Sequence, residues 1–311
     1  MTNLTPINQI NLFGLNRYFD ELIFLHQKKC LPSKILLSGQ KGIGKSTLAY
    51  HFINYVLSME EEFKYDADSF KINVESNTYK TILNKSNPNF ILIDIDSEKK
   101  SIDINQIRSL ISNLNKSSFN DKPRFVLIDN IEFLNVNSIN AMLKTLEETN
   151  LNVHFILINN NKKIISTLLS RCINFNVSLS KEENLNVADL LLNGRLDEII
   201  NKDLINYYST PGKIYNLVKF AENNNYDLMN TNLKDLLNFL INDNQYKQKD
   251  ELTKNLLFEL IELYFVKINL SFSLNINNKY SHFLKRASDT KKFNLDQESL
   301  FMEFKDDILN G

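Results

Sequence analysis

The chain has 311 residues but no tryptophan, two cysteines, five prolines and seven glycines. Each scarcity excludes something. Two isolated cysteines, Cys30 and Cys172, make neither a disulfide framework nor a four-thiolate zinc site, and they fit a reducing, cytoplasmic setting. No stretch approaches the roughly 18 uninterrupted apolar residues that a membrane span needs. Residues 1–11 are polar and lack the apolar core of a signal peptide. The net charge of −1 excludes a grossly basic protein, so any nucleic-acid contact has to come from a local patch. At 43% hydrophobic and 23% charged residues the composition is that of a soluble globular protein with room for two or three domains.

Three of the few glycines, Gly39, Gly42 and Gly44, fall in one loop. An apolar run, residues 35–37, leads into it as a buried strand. The sequence Gly39-x-x-x-x-Gly44-Lys45-Ser46 has the spacing of a phosphate-binding loop, and Thr47 opens a segment of helical spacing with Leu48, Phe52, Ile53 and Val56. The glycines let successive N–H groups turn inward on phosphate oxygens at a helix N-terminus. In that role Lys45 reaches the β- and γ-phosphates and the Ser46 hydroxyl takes a Mg²⁺ position. Such a loop needs a second acid for the metal's water shell, and Asp129, closing an apolar run, is placed for it. The next residue is Asn130, which is neutral and cannot act as a general base. Glu132 lies two positions further on.

Apolar runs at residues 35–37, 90–94, 124–129, 153–159 and 172–177 alternate with helical patterns at 10–30, 47–57, 104–114, 137–149 and 164–170. Strands apolar throughout, alternating with helices, predict a parallel sheet covered on both faces. Asp103 or Asn105 would cap the helix that ends at Leu114. Residues 59–88 are polar and carry no clear period. Beyond Leu179 only helical patterns remain, at 181–196, 197–207, 211–223, 232–244, 248–273 and 278–288. A break near the Asn-rich residues 223–226 divides them. The expected fold class is therefore α/β followed by all-α, with domains at 1–179, 180–226 and 227–311. The apolar stripe Leu256, Leu257, Leu260, Ile261 and Phe265 reads as core, and Lys279, Lys285, Arg286, Lys291 and Lys292 as a solvated face.

Four segments together carry a more specific likeness: Leu127-Ile-Asp-Asn-Ile-Glu-Phe-Leu-Asn135, Ser138-Ile-Asn-Ala-Met-Leu-Lys-Thr-Leu-Glu-Glu148, Phe155-Ile-Leu-Ile-Asn159 and Ser170-Arg-Cys172. Over residues 8–220 the chain resembles the bacterial clamp-loader ATPases of the AAA+ class, the gamma/tau and delta-prime subunits of DNA polymerase III. The resemblance implies an AAA+ P-loop domain, a helical lid and a C-terminal helical collar. It implies that Arg171 is an arginine finger reaching ATP bound by a neighbouring subunit, as an always-charged planar fork is suited to do. The plain alternative is an arginine pairing a local carboxylate. Asn159 stands where the family's first sensor residue lies. Gly212, followed by Lys213, stands where an active motor carries its lid arginine. The family's zinc module would fall within residues 59–88, which contain no cysteine, so no zinc is expected.

Phosphate loop and finger are present, whereas the acid after Asp129 and the lid arginine are missing. That mixture resembles a delta-prime subunit, with ATP and Mg²⁺ binding open and hydrolysis doubtful. The implied partners are the gamma/tau and delta subunits, the sliding clamp and, through the assembled complex, primed DNA, with no membrane. Two other readings stay open. One is a gamma-like motor that hydrolyses ATP itself, with Glu132 or another acid in place of the missing one. The other is a small-molecule phosphotransferase, in which Ser170-Arg-Cys172 would have no purpose.

Overall fold

The five apolar runs pair into one parallel sheet. Its strands are β1 (Lys34–Ser38), β2 (Phe90–Ile93), β3 (Arg124–Ile128), β4 (Val153–Asn159) and β5 (Ile173–Asn176), in the order β2-β3-β4-β1-β5. This computed structural model describes residues 4–96, 99, 101–116, 120–148, 152–206, 208–242, 251–269, 274–293 and 295–309. It divides into two units, Met1–Val187 and Ala188–Gly311.

In the first unit successive strand residues feed opposite faces of the sheet. Ile35, Leu37, Phe125, Leu127, Ile156 and Ile158 pack with Phe19 and Leu22 of α1 (Asn16–Gln27) and Leu48, Phe52 and Ile53 of α2 (Lys45–Ser58). Leu36, Val126, Ile128, Phe155 and Leu157 pack with Ile107 and Leu110 of α4 (Ile104–Leu114), Met142 and Leu146 of α5 (Val136–Glu148) and Leu168 of α6 (Ser166–Leu169). β5 departs from the expected buried run. Among the described residues it pairs only with β1, and Ile173 is more than half exposed. Its sequence Ile-Asn-Phe-Asn alternates, as an edge strand can.

Two other segments differ from expectation. The helix expected from residue 10 starts at Asn16, because residues 10–12 are paired elsewhere: Leu12 N–H donates to Phe70 O at 3.0 Å and Ile72 N–H to Ile10 O at 2.9 Å. Gly14 then turns the chain at a φ of 70°, in a space where a Cβ would lie 2.5 Å from Val187 Cγ2. Within the polar stretch 59–88 lies a helix, α3 (Asn77–Leu83). Ser76 Oγ accepts from Tyr79 N–H at its start, and the Glu61 carboxylate accepts from Ser76 Oγ at 2.8 Å and from Thr78 N–H at 3.0 Å. Buried Tyr65, Ile72, Tyr79 and Ile82 tie this segment to the core. The cap of α4 is Asp103, not Asn105. Its Oδ1 accepts from Asn105 N–H at 2.8 Å and Gln106 N–H at 3.2 Å, while Gln106 Oε1 accepts from Asp103 N–H at 3.0 Å.

The second unit is helical among its described residues. α7 (Lys181–Leu192) runs into it, followed by α8 (Leu196–Ile199), α9 (Pro211–Asn223), α10 (Leu233–Asn242), α11 (Glu251–Asn269), α12 (Leu274–Phe293) and α13 (Gln297–Phe304). The helix expected at 197–207 is instead α8 and a 3₁₀ turn, Lys202–Leu204. α13, capped by Asp296, was not foreseen by the periodicity. Leu256, Leu257, Leu260, Ile261 and Phe265 are buried, as the stripe predicts. Phe265, Phe283 and Phe304 meet in an aromatic triad with centroids 5.4–5.7 Å apart. Lys279, Lys285 and Arg286 lie at the surface, with Arg286 bridging Glu303 at 2.9 Å; the side chains of Lys291 and Lys292 lie outside the described residues. Among the described residues no helix is long and apolar enough to cross a membrane.

One buried polar residue links α2 to the segments around it. His51 is fully enclosed; its Nε2 lies 3.0 Å from Gln9 O and its Nδ1 2.8 Å from the Tyr65 hydroxyl. A carbonyl only accepts, so Nε2 carries the proton and Nδ1 accepts from Tyr65. Burial pushes the ring pKa down to about 4 from 6.5, against the raising effect of the Gln9 hydrogen bond. The unfolded chain therefore binds the extra proton first as pH falls. The His51 contribution is complete above about pH 6.5 and is lost between there and about pH 4, at about 1.4 kcal/mol per pH unit and about 3 kcal/mol in all. Urea denaturation of the protein and of a His51→Gln variant across pH 4–7 is expected to show this slope in the difference between their stabilities.

Candidate nucleotide site

The ends of four adjacent strands meet at one edge of the sheet, where parallel α/β sheets place their ligand sites. Registers of Ser38 with Asn159, Ile128 with Leu157 and Ile93 with Ile128 bring the loops after β1, β4, β3 and β2 side by side. Gly39 is required where the chain leaves β1, since a Cβ there would lie 2.2 Å from the Val177 carbonyl oxygen. Gly42 and Gly44 turn the loop at φ 88° and 96°, and Gly44 is the N-cap of α2. Lys45, Ser46 and Thr47 form the first turn of α2, whose leading N–H groups have no partner within the helix.

Lys45 is buried, and its ammonium spends all three donors inside the protein. Nζ donates to Gly39 O at 3.0 Å, Gln40 O at 2.6 Å and Asn160 Oδ1 at 2.9 Å. Burial lowers its pKa to about 8, opposed by the charges of Asp129 and Glu132. An ammonium offers only donors, so Asn160 must turn its oxygen to Lys45. Its Nδ2 then faces Asn130 Oδ1 at 2.9 Å and Glu132 Oε1 at 3.0 Å. Asn130 in turn aims its Nδ2 at Asp94 Oδ1, 2.9 Å away. A single direction of hydrogen bonding thus runs across the site.

Ser46 Oγ donates to Asp129 Oδ2 at 2.5 Å, and Asn130 N–H donates to Asp129 Oδ1 at 2.8 Å. Burial raises the Asp129 pKa to about 6; the Ser46 hydrogen bond pulls the other way, and the nearby Asp94 charge adds to the rise. A hydroxyl and a carboxylate in contact beside a glycine loop form an oxygen donor set of the kind Mg²⁺ takes with a nucleotide phosphate. Among the described residues no group of three or more His, Cys, Asp or Glu could hold a metal without such a ligand.

Asn159 is not in this network. Its Nδ2 donates to Lys162 O at 3.0 Å and its Oδ1 accepts from Lys162 N–H at 3.2 Å, closing the turn after β4. The amide that meets Lys45 belongs to Asn160. Three consecutive asparagines, 159–161, end this strand, and the run of letters alone does not say which one leaves the sheet first. Asp94 and Asn160 were not singled out by the sequence reading. Asp94 ends an apolar run as Asp129 does, which is a signal for it.

Arg171 lies elsewhere, following α6. Its Nε and Nη2 donate to Glu147 Oε1 at 2.9 and 2.5 Å, and its Nη1 to Thr167 O at 2.7 Å. None of these partners belongs to the phosphate loop. Cys172 packs against the sheet's second core, and burial raises its thiol to about 11. In the helical unit, Lys213 of α9 pairs with Glu259 at 3.4 Å.

The family model described as DNA polymerase III, delta subunit, matches residues 15–181, more than half of the chain. The chain belongs to that family. Among curated relatives it is 32% identical over 151 residues to DNA polymerase III subunit gamma of Buchnera aphidicola subsp. Schizaphis graminum, covering 48% of this chain and 39% of that protein. It is 26% identical over 249 residues to subunit gamma/tau of Mycoplasma genitalium, 80% of this chain and 37% of the other. It is 28% identical over 182 residues to subunit delta' of Buchnera aphidicola subsp. Baizongia pistaciae, 56% and 53% of the two chains. The chain thus spans about two fifths to about half of these relatives' lengths. The family match begins at α1 and ends where α7 begins, so it takes in the whole phosphate loop, Asp129 and Arg171.

The two perturbed groups set a pH window for a phosphate ligand. Lys45 loses its charge above about pH 8, and Asp129 loses its charge below about pH 6. Affinity for a fluorescent ATP analogue with Mg²⁺ is expected to be greatest between those values. On the alkaline side it should fall with or without Mg²⁺. Equilibrium titrations from pH 5 to 9 check both limbs.

Proposed function

We propose that this chain is a delta-prime-type subunit of the DNA polymerase III clamp loader, acting in the cytoplasm with gamma/tau and delta subunits to load the sliding clamp on primed DNA. The curated relatives named gamma, gamma/tau and delta' support that setting. In this reading residues 1–179 are the nucleotide-binding domain, 180–226 the lid and 227–311 the collar. Gly39, Gly42, Gly44, Lys45, Ser46 and Thr47 cradle the phosphates of ATP. Ser46 and Asp129 hold Mg²⁺, which would neutralise phosphate charge, and an amide after β4 faces the γ-phosphate. Asn159 was the expected amide; Asn160, already at Lys45, is the better placed one. Lys45 has to exchange loop carbonyls for phosphate oxygens to serve.

One observation carries the assignment of a nearly idle pocket. The side chain after Asp129 is an amide, Asn130, held between Asp94 and Asn160. It cannot take a proton from water, and no acid occupies its position. Arg171 supports the complementary half of the reading: its guanidinium is engaged away from its own phosphate loop and is one-third exposed. There it would stabilise charge on ATP bound by the next subunit.

The motor reading is favoured by one contact, that of Glu132 with Asn160, which brings a carboxylate to the edge of the Lys45 network. The two readings separate in steady-state ATPase assays. In the reconstituted complex Lys45→Ala is expected to leave turnover within about twofold of wild type, and Arg171→Ala to lower it at least about tenfold. A purified chain that hydrolyses ATP at the rate of the complex, and loses that activity in Glu132→Gln, would establish the motor instead.

A further inference from the structure

The Arg171 guanidinium carries five N–H donors in one plane. Two of them, on Nε and Nη2, meet the same oxygen of Glu147, and one on Nη1 meets the Thr167 carbonyl. The anchors come from two elements, the last turn of α5 and the short helix α6. They hold the plane of the fork and leave two N–H groups for an outside anion. A free arginine would have to give up rotamer freedom to adopt one pose.

Helix stability does not account for Glu147. A carboxylate in the last turn faces the partial negative charge of the helix C-terminus, which disfavours it. The pair is also more than half exposed on the Glu147 side, where an ion pair adds little to folding. What the carboxylate does supply is orientation of the guanidinium.

We infer that Glu147 is a positioning residue for Arg171, presenting its two unspent N–H groups to the phosphates of a nucleotide held by another subunit. This rests on the trans-acting role proposed above. The two stand or fall separately in one experiment on the complex assembled with its gamma/tau-type ATPase subunit, using ATP as the probe. Glu147→Ala is expected to lower kcat about tenfold with KM for ATP unchanged, since orientation and not binding is lost. Glu147→Gln, whose amide oxygen still accepts, should stay within about threefold of wild type. Neither variant should lower Tm or impair assembly. Adding Glu147→Ala to Arg171→Ala should cost nothing more, because the two changes remove one function. A structural role would move Tm or assembly and leave kcat alone, which would overturn the inference. So would a rise in kcat in Glu147→Ala, which would make the carboxylate a competitor of the phosphates, and so would additive losses in the double variant. If Arg171→Ala lowers turnover and Glu147→Ala does not, positioning fails and the trans role stands. If Arg171→Ala has no effect, both fail.

Discussion

A lysine ammonium withdrawn from water must find an acceptor for each of its protons, and that requirement governs how the sheet edge is finished. An unpaired buried charge costs several kcal/mol. Lys45 meets the demand with two carbonyls of its own loop and the amide oxygen of Asn160. The carbonyls are available because Gly39 lets the backbone pass against Val177. The amide is available because β4 runs parallel to β1 and ends in register with it. Once Asn160 is oriented by Lys45, the orientations of Asn130 and of its bond to Asp94 follow, each acceptor forcing the next donor. The polarity of the whole site descends from one charge.

The same edge places carboxylates close together, and the protein manages them differently. Asp129 is drawn out of water and raised to about 6, with the Ser46 hydroxyl and the Asn130 N–H on its two oxygens. Asp94 takes the Asn130 amide and the Ile95 N–H. Glu132 accepts from Asn160. Amides stand between the acids wherever strands bring them together. The neutral side chains therefore carry as much of the electrostatic design as the charged ones.

Much of this was legible in the residues. Apolar runs of strand length between helical patterns marked strands β1 to β4, and glycine spacing with Lys45 and Ser46 marked the loop, because both signals are local and repeated. The failures have physical causes. α3 has only a few apolar positions in about two turns, and its cap depends on Glu61, distant in sequence. Residues 10–15 fall within the expected helix, yet pairing with residues 70–72 takes the backbone of residues 10–12, a long-range event that no window contains. Asn159 is held by its own turn, and the amide at Lys45 is that of the next residue, Asn160. The pattern marks where a strand ends but not which side chain is still held by the turn. For Arg171 the flanking Ser and Cys pointed to a role, while its partner Glu147 is 24 residues away in sequence and is revealed only by packing.

Asn130 joins chemistry to backbone. It turns the chain from β3 into the 3₁₀ turn Ile131–Phe133 at φ 55° and ψ 48°, in the left-handed region. Asparagine tolerates that region better than most residues with a side chain, and glutamate gains no such relief. A glutamate here would also set another carboxylate beside Asp94 and Asp129, and would remove the amide donor that Asp94 now accepts from. The missing acid is therefore built into the corner and its neighbours, not a single letter awaiting reversal. The hydrogen bonds of Arg171 share no residue with this network. A change that silences the pocket need not disturb the guanidinium. In their hydrogen bonding the two sites are separate, as the proposed division of roles requires.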